Sequence, residues 1–150
     1  MSDSLREIIL STWVTALNTG APIGVPALVR DRWFDIDAPA TPALLLAGWE
    51  DDPRPSQEPD EPHFQRELKA TFELWAKAAS PLTASQAVDQ MTQWIQKTLC
   101  GIPDSGSALA GKVIRVRLGK AAAITLKNDV CRAYVEVVAE YRVIVDDATT

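Results

Sequence analysis

The stretch from Phe64 to Lys77 limits what this chain can fold into more than any other. Phe64, Leu68, Ala70, Phe72, Leu74 and Ala76 share one parity, with Arg66 the one intruder, and Gln65, Glu67, Lys69, Thr71, Glu73, Trp75 and Lys77 share the other. A period of two marks a strand with one face buried and one face wet, as in an antiparallel sheet. The run is also long: at about 3.3 Å per residue it would span roughly 46 Å, whereas ordinary strands hold about 5–6 residues. The closing run Val130 to Val145 is similar, with Cys131, Ala133, Val135, Val137, Ala139, Tyr141, Val143 and Val145 on one face. Two uses of the surplus length are open. Either the strands bend around the core through a bulge, or they project and pair with or pack on a neighbouring copy, which covers edges that would otherwise be exposed.

The remaining elements are short or helical. Leu5, Ile8, Ile9, Thr12, Trp13, Ala16 and Leu17 recur at helical spacing from Ser4 to Asn18, with Ser4-x-x-Glu7 as a capping box and Thr19-Gly20 as the stop. Ala27 to Phe34 reads as a strand of mediocre alternation, and Pro42 to Trp49 as a buried strand built on Ala43-Leu44-Leu45-Leu46-Ala47. Glu50 to His63 carries Pro53, Pro55, Pro59 and Pro62 among its acids, so positions 50–63 are expected to form a mobile acidic loop. A second helix follows Thr83-x-x-Gln86, with Val88, Met91, Ile95 and Leu99 as its apolar stripe, and Lys112 to Leu118 reads as a further strand.

At 150 residues the chain has the length of a single domain, 1–150, large enough to be stable by packing without metal or disulfide staples. A net charge of -5 argues against broad binding to nucleic acid, which needs a basic surface. No apolar stretch approaches the roughly 20 residues of a membrane span, and Asp3, Arg6 and Glu7 interrupt any secretory h-region, so a cytosolic product is expected. Cys100 and Cys131 have neither redox nor metal spacing and read as small core residues.

Signatures of catalysis fail on inspection. Gly106 to Lys112 matches the G-x-x-x-x-G-K part of a phosphate loop, but Val113 stands where a Ser or Thr must hold magnesium, and a β-branched run follows where a helix is required. His63 and the acids Glu50, Asp51, Asp52, Glu58, Asp60 and Glu61 lie on the proline-broken segment, which cannot hold the fixed separations of acid–base or metal chemistry. Trp75 lies on the polar face of its strand, as either an interface residue or a cross-strand packing residue. Charge is segregated, with acids from Glu50 to Glu61 and Lys112, Arg115, Arg117, Lys120, Lys127 and Arg132 further on. The two segments can meet within one subunit, meet between copies, or stay solvated.

The order and texture of these pieces resemble the tail terminator, or tail completion, proteins of long-tailed bacteriophages and related tail-like particles, the minor tail protein U-like family. The resemblance is carried by Leu5-Arg6-Glu7-Ile8-Ile9-Leu10, Val29-Arg30-Asp31-Arg32-Trp33, Thr41 to Leu46 with its acidic tail, Arg66-Glu67-Leu68 to Phe72-Glu73-Leu74-Trp75-Ala76, Val88-Asp89 to Ile95, and Ala133 to Val143. Ala121-Ala122-Ala123 and the proline-heavy loop do not map onto it. It implies an α+β fold: a mixed, mainly antiparallel β-sheet with long strands and two α-helices packed on it, in the order α-β-β-β-α-β-β. It further implies a homohexameric ring on the head-proximal end of the tail tube that stops tube polymerisation and offers a surface for head–tail joining.

Such a protein is not an enzyme and takes no cofactor or metal. Its partners are its own copies, the tail tube protein and a head–tail connector or neck protein, with no sequence-specific nucleic acid and no membrane. Its place is the virion tail, assembled in the host bacterial cytoplasm from a phage or prophage gene. Expected contact residues are Glu50, Asp51, Asp52, Trp75, Lys112, Arg115, Arg117 and Arg132. The competing roles are a neck or head-completion protein and a small cytosolic ligand-binding domain, the latter requiring a concave pocket with converging polar groups.

Overall fold

The computed structural model describes residues 4–22, 25–26, 28–30, 43–53, 63–77, 83–103, 109, 111–125 and 130–144. The elements run α1 (Leu5–Leu17), β1 (Leu28–Arg30), β2 (Ala43–Pro53), β3 (His63–Lys77), α2 (Ala84–Leu99), β4 (Val113–Thr125) and β5 (Val130–Ile144), the expected order of an α+β chain. Both helices start at the capping signals. The Glu7 amide donates to Ser4 Oγ at 3.2 Å, and Thr83 and Gln86 form a reciprocal capping box. Leu5, Ile9, Leu10, Trp13 and Leu17 of α1 and Val88, Met91, Ile95 and Leu99 of α2 are buried in one core with the apolar parity of the strands. The result is two layers, helices on one face of a five-stranded sheet.

The sheet order is β1-β2-β3-β5-β4, with β1 parallel to β2 and every other pair antiparallel. Asn18, just past α1, holds β1 in place: its Oδ1 accepts from the Leu28 amide at 2.7 Å and its Nδ2 donates to the Leu28 carbonyl at 3.3 Å. Trp94 of α2 donates to the Leu17 carbonyl at 3.3 Å, which ties the two helices together.

The surplus length of the long strands is used inside the chain. β3 is central, flanked by β2 and β5, and pairs with β5 without interruption from His63 to Lys77. Bulges do occur, but in the neighbours: between Leu46 and Gly48 of β2, and at two places in β4.

Three boundaries differ from the sequence expectation. Glu50 to Pro53 continue β2, and His63 opens β3, because β3 and β5 extend far enough to offer them backbone partners that local composition does not reveal. The rest of the expected loop, 54–62, lies outside the described residues. β4 runs through Ala121-Ala122-Ala123 to Thr125 because β5 pairs with it past Leu118. Of the strand expected from Ala27 to Phe34, the described part is Leu28–Arg30. Gly111, last glycine of the failed phosphate-loop match, sits in the turn before β4 at φ +76°, a conformation in which glycine is unstrained.

Candidate interaction surface

The bulge in β2 decides which acids face where. Leu44 and Leu46 lie opposite Leu74 and Phe72 on the helix-covered face; the extra residue, Ala47, then shifts the parity, so Trp49 and Asp51 fall opposite Ala70 and Leu68 on that same face. Glu50 and Asp52 are thereby turned to the open face, opposite Lys69 and Glu67. A one-residue insertion inverts the facing of everything beyond it.

Asp51 is 5% exposed and heavily partnered. Arg66 Nε donates to its Oδ1 at 3.0 Å, Arg66 Nη2 donates to its main-chain carbonyl at 3.3 Å, and the Tyr141 hydroxyl donates to Oδ2 at 2.5 Å. Arg6 of α1 reaches the same Oδ2 at 3.6 Å and lies 4.0 Å over the ring of Trp49. Arg66, the intruder on the apolar face, thus has its counter-ion. Burial opposes the Arg66 charge, but its hydrogen bond and attraction to Asp51 outweigh that, and its pKa is raised. Burial, reinforced by the bond to Asp51, pushes the Tyr141 hydroxyl well above its ordinary value. This cluster fastens the start of α1 to three strands.

The open face carries two further groups. Arg115 meets Glu140 at 3.5 Å, while Arg117 bridges Glu67 at 3.7 Å and Glu140 at 3.9 Å. Towards the other end of the sheet, Arg132 Nε and Trp75 Nε1 both donate to Glu73 Oε1, at 2.8 Å and 2.6 Å, and the Arg132 guanidinium stacks over Trp75 and Tyr134. Trp75 is 6% exposed, in keeping with cross-strand packing.

Of the expected contact residues, Asp51, Trp75 and Arg132 are therefore engaged within the chain, Arg115 and Arg117 are ion-paired within it yet exposed, and Glu50, Asp52 and Lys112 are exposed. The acidic and basic segments do not pair with each other among the described residues; they border opposite sides of the sheet. The network of Arg6, Arg66 and Tyr141 around Asp51 was not anticipated, although a lone arginine on an apolar strand parity is the signal that a buried carboxylate must face it. Cys131 lies in the core and Cys100 is half-buried, and burial pushes both thiols up. Among the described residues no cluster of His, Cys, Asp and Glu has a metal-binding arrangement, and no helix is long and apolar enough to cross a membrane.

No family model matches this chain, and no curated protein does. Among solved structures, a chain from the virion of a native gene transfer agent particle is similar to it, with a TM-score of 0.57 at 13% sequence identity, over 93% of this chain and 96% of that one. At that identity the likeness establishes a shared fold, over almost the whole of both molecules.

Proposed function

We propose that this protein is a structural component of a phage-like particle and, within it, a tail-terminator ring protein. The observation that carries the coarser reading is the shared fold with a chain of a gene transfer agent virion, nearly end to end in both. The finer reading rests on the order of elements and motifs that resembles tail terminators. Six copies would close on the head-proximal end of the tail tube, halt its polymerisation and present the opposite side of the ring to a neck or connector protein. The work is geometric: rigid faces that match a tube end on one side and a connector on the other. A broad sheet on a single core, with exposed charges on the face away from the helices and at its sides, suits that task.

The test is electron microscopy of particles made with and without this chain, with the chain carrying a visible tag. Tagged protein at one end of every tail, and tails of irregular length without attached heads when it is absent, are the expected results. Tag on filled heads with tails of normal length would instead assign the protein to the neck. Tag on no particle would overturn the structural role.

A further inference from the structure

The sheet is polarised across its width. Asp52, Glu67, Glu140 and Arg115 form one transverse rung across β2, β3, β5 and β4, and Glu50, Lys69, Val138 and Arg117 form another. Both rungs lie on the open face, begin with an acid at the β2 side and end with an arginine at the β4 side, roughly 14 Å away at about 4.8 Å per strand spacing.

Among the described residues, both sides are also edges over part of their length. β1 covers β2 only at Leu44, Leu45 and Leu46, so the stretch from Gly48 to Pro53 has no second strand among the described residues. On β4 the Gly101 amide and carbonyl close the outer edge at Val116, with both hydrogen bonds at 2.8 Å, and from Leu118 to Thr125 no strand lies outside it among the described residues. Glu50 and Asp52 on one edge and Lys112 and Lys120 on the other are exposed and form no ion pair among the described residues. Arg115 and Arg117 remain 57% and 43% exposed despite their internal pairs.

The geometry points to a head-to-tail contact between copies of this chain, in which the acidic β2 edge of one protomer meets the basic β4 edge of the next. The occupant is a second copy because the complementary charges stand on the same molecule, at the same level of the same sheet, on edges that face opposite ways. Three antiparallel pairings separate β2 from β4, so they run in opposite directions, and sheets continued sideways would meet antiparallel. Near Val116, where Gly101 occupies the backbone, the contact is made by side chains. A junction between two different patches closes into a ring when its rotation divides the circle, and the inference rests on the ring reading above in that respect.

The test uses two charge reversals away from the internal ion pairs, Glu50→Lys with Asp52→Lys, and Lys112→Glu with Lys120→Glu. Self-association is followed by sedimentation over a concentration series, with circular dichroism to verify folding. Wild type should associate, and each double variant alone should associate more weakly by more than about tenfold, since like charges then face each other. The equimolar mixture should recover assembly, because the lysines introduced at positions 50 and 52 of one chain then meet the glutamates introduced at 112 and 120 of the other. If a reversal fails to fold, the neutral pairs Glu50→Gln with Asp52→Asn and Lys112→Gln with Lys120→Gln replace it, with weakened association expected from each. Variants that associate like wild type, or a mixture that stays apart, overturn the edge assignment and leave the ring role standing. A wild-type chain that neither self-associates nor docks on tails removes both.

Discussion

Asp51 and Glu140 are both strand carboxylates facing two arginines, yet they sit on opposite faces of the sheet. Asp51 is 5% exposed under α1, with an arginine at 3.0 Å and a tyrosine hydroxyl filling its second oxygen. Glu140 is 14% exposed, and its arginines stand 3.5 Å and 3.9 Å away with much of their side-chain surface in water. A buried carboxylate stripped of its partners leaves uncompensated charges and dipoles, whereas an exposed pair is replaced by water at little cost. The same residue types therefore hold the fold together on one face and remain available to another molecule on the other.

The harshest way to break this contrast is to delete Ala47. Without the extra residue, Trp49 and Asp51 leave the helix-covered face and Glu50 and Asp52 turn inward, so a loss of more than about 4 kcal/mol, read as failure to fold in denaturant titration, is expected. Asp51→Ala keeps the register and removes only the anion that Arg66 and Tyr141 address; it should cost about 3 kcal/mol and lower the melting temperature by about 10 °C. A loss below about 1 kcal/mol would show that burial does not distinguish the two carboxylates.

Tyr141→Phe removes one donor to Asp51 and should cost about 1–2 kcal/mol at neutral pH. Its pH dependence is the sharper measurement. Folding raises the pKa of the Tyr141 hydroxyl above its ordinary 10.0, so its contribution is complete below that pH and declines as pH rises and the unfolded chain ionises first. Wild type should lose stability more steeply than the phenylalanine variant above pH 10.0, and parallel curves would contradict the assignment. Smallest of all, Arg115→Ala should change stability by less than about 1 kcal/mol, and added salt should shrink even that.

Periodicity made much of this fold readable. The parity of β3 and β5, the apolar stripes of α1 and α2 and their capping residues are local patterns with direct structural meaning, and each element formed where its pattern placed it. Glu50 to Pro53 and Ala121 to Thr125 were misjudged for a shared reason. Acids, prolines and alanines are weak strand formers, and a neighbouring strand with unsatisfied backbone groups overrides that preference. Arg66 was visible as an anomaly, but its partner lies 15 positions upstream, and only the bulge at Ala47 points Asp51 towards it.

What the amino-acid order alone determined is the list of elements and, for α1, α2, β3 and β5, the face turned to the core, because alternation and helical spacing act over a few residues. The tertiary structure decided the rest: that the long central strand is satisfied by its own neighbours, that Asp51 is an internal anchor while Glu50 and Asp52 stand outside, and that acidic and basic segments border opposite edges of one sheet. Those outcomes depend on strand order and a single-residue shift in register, and both are set by contacts between segments far apart in the chain.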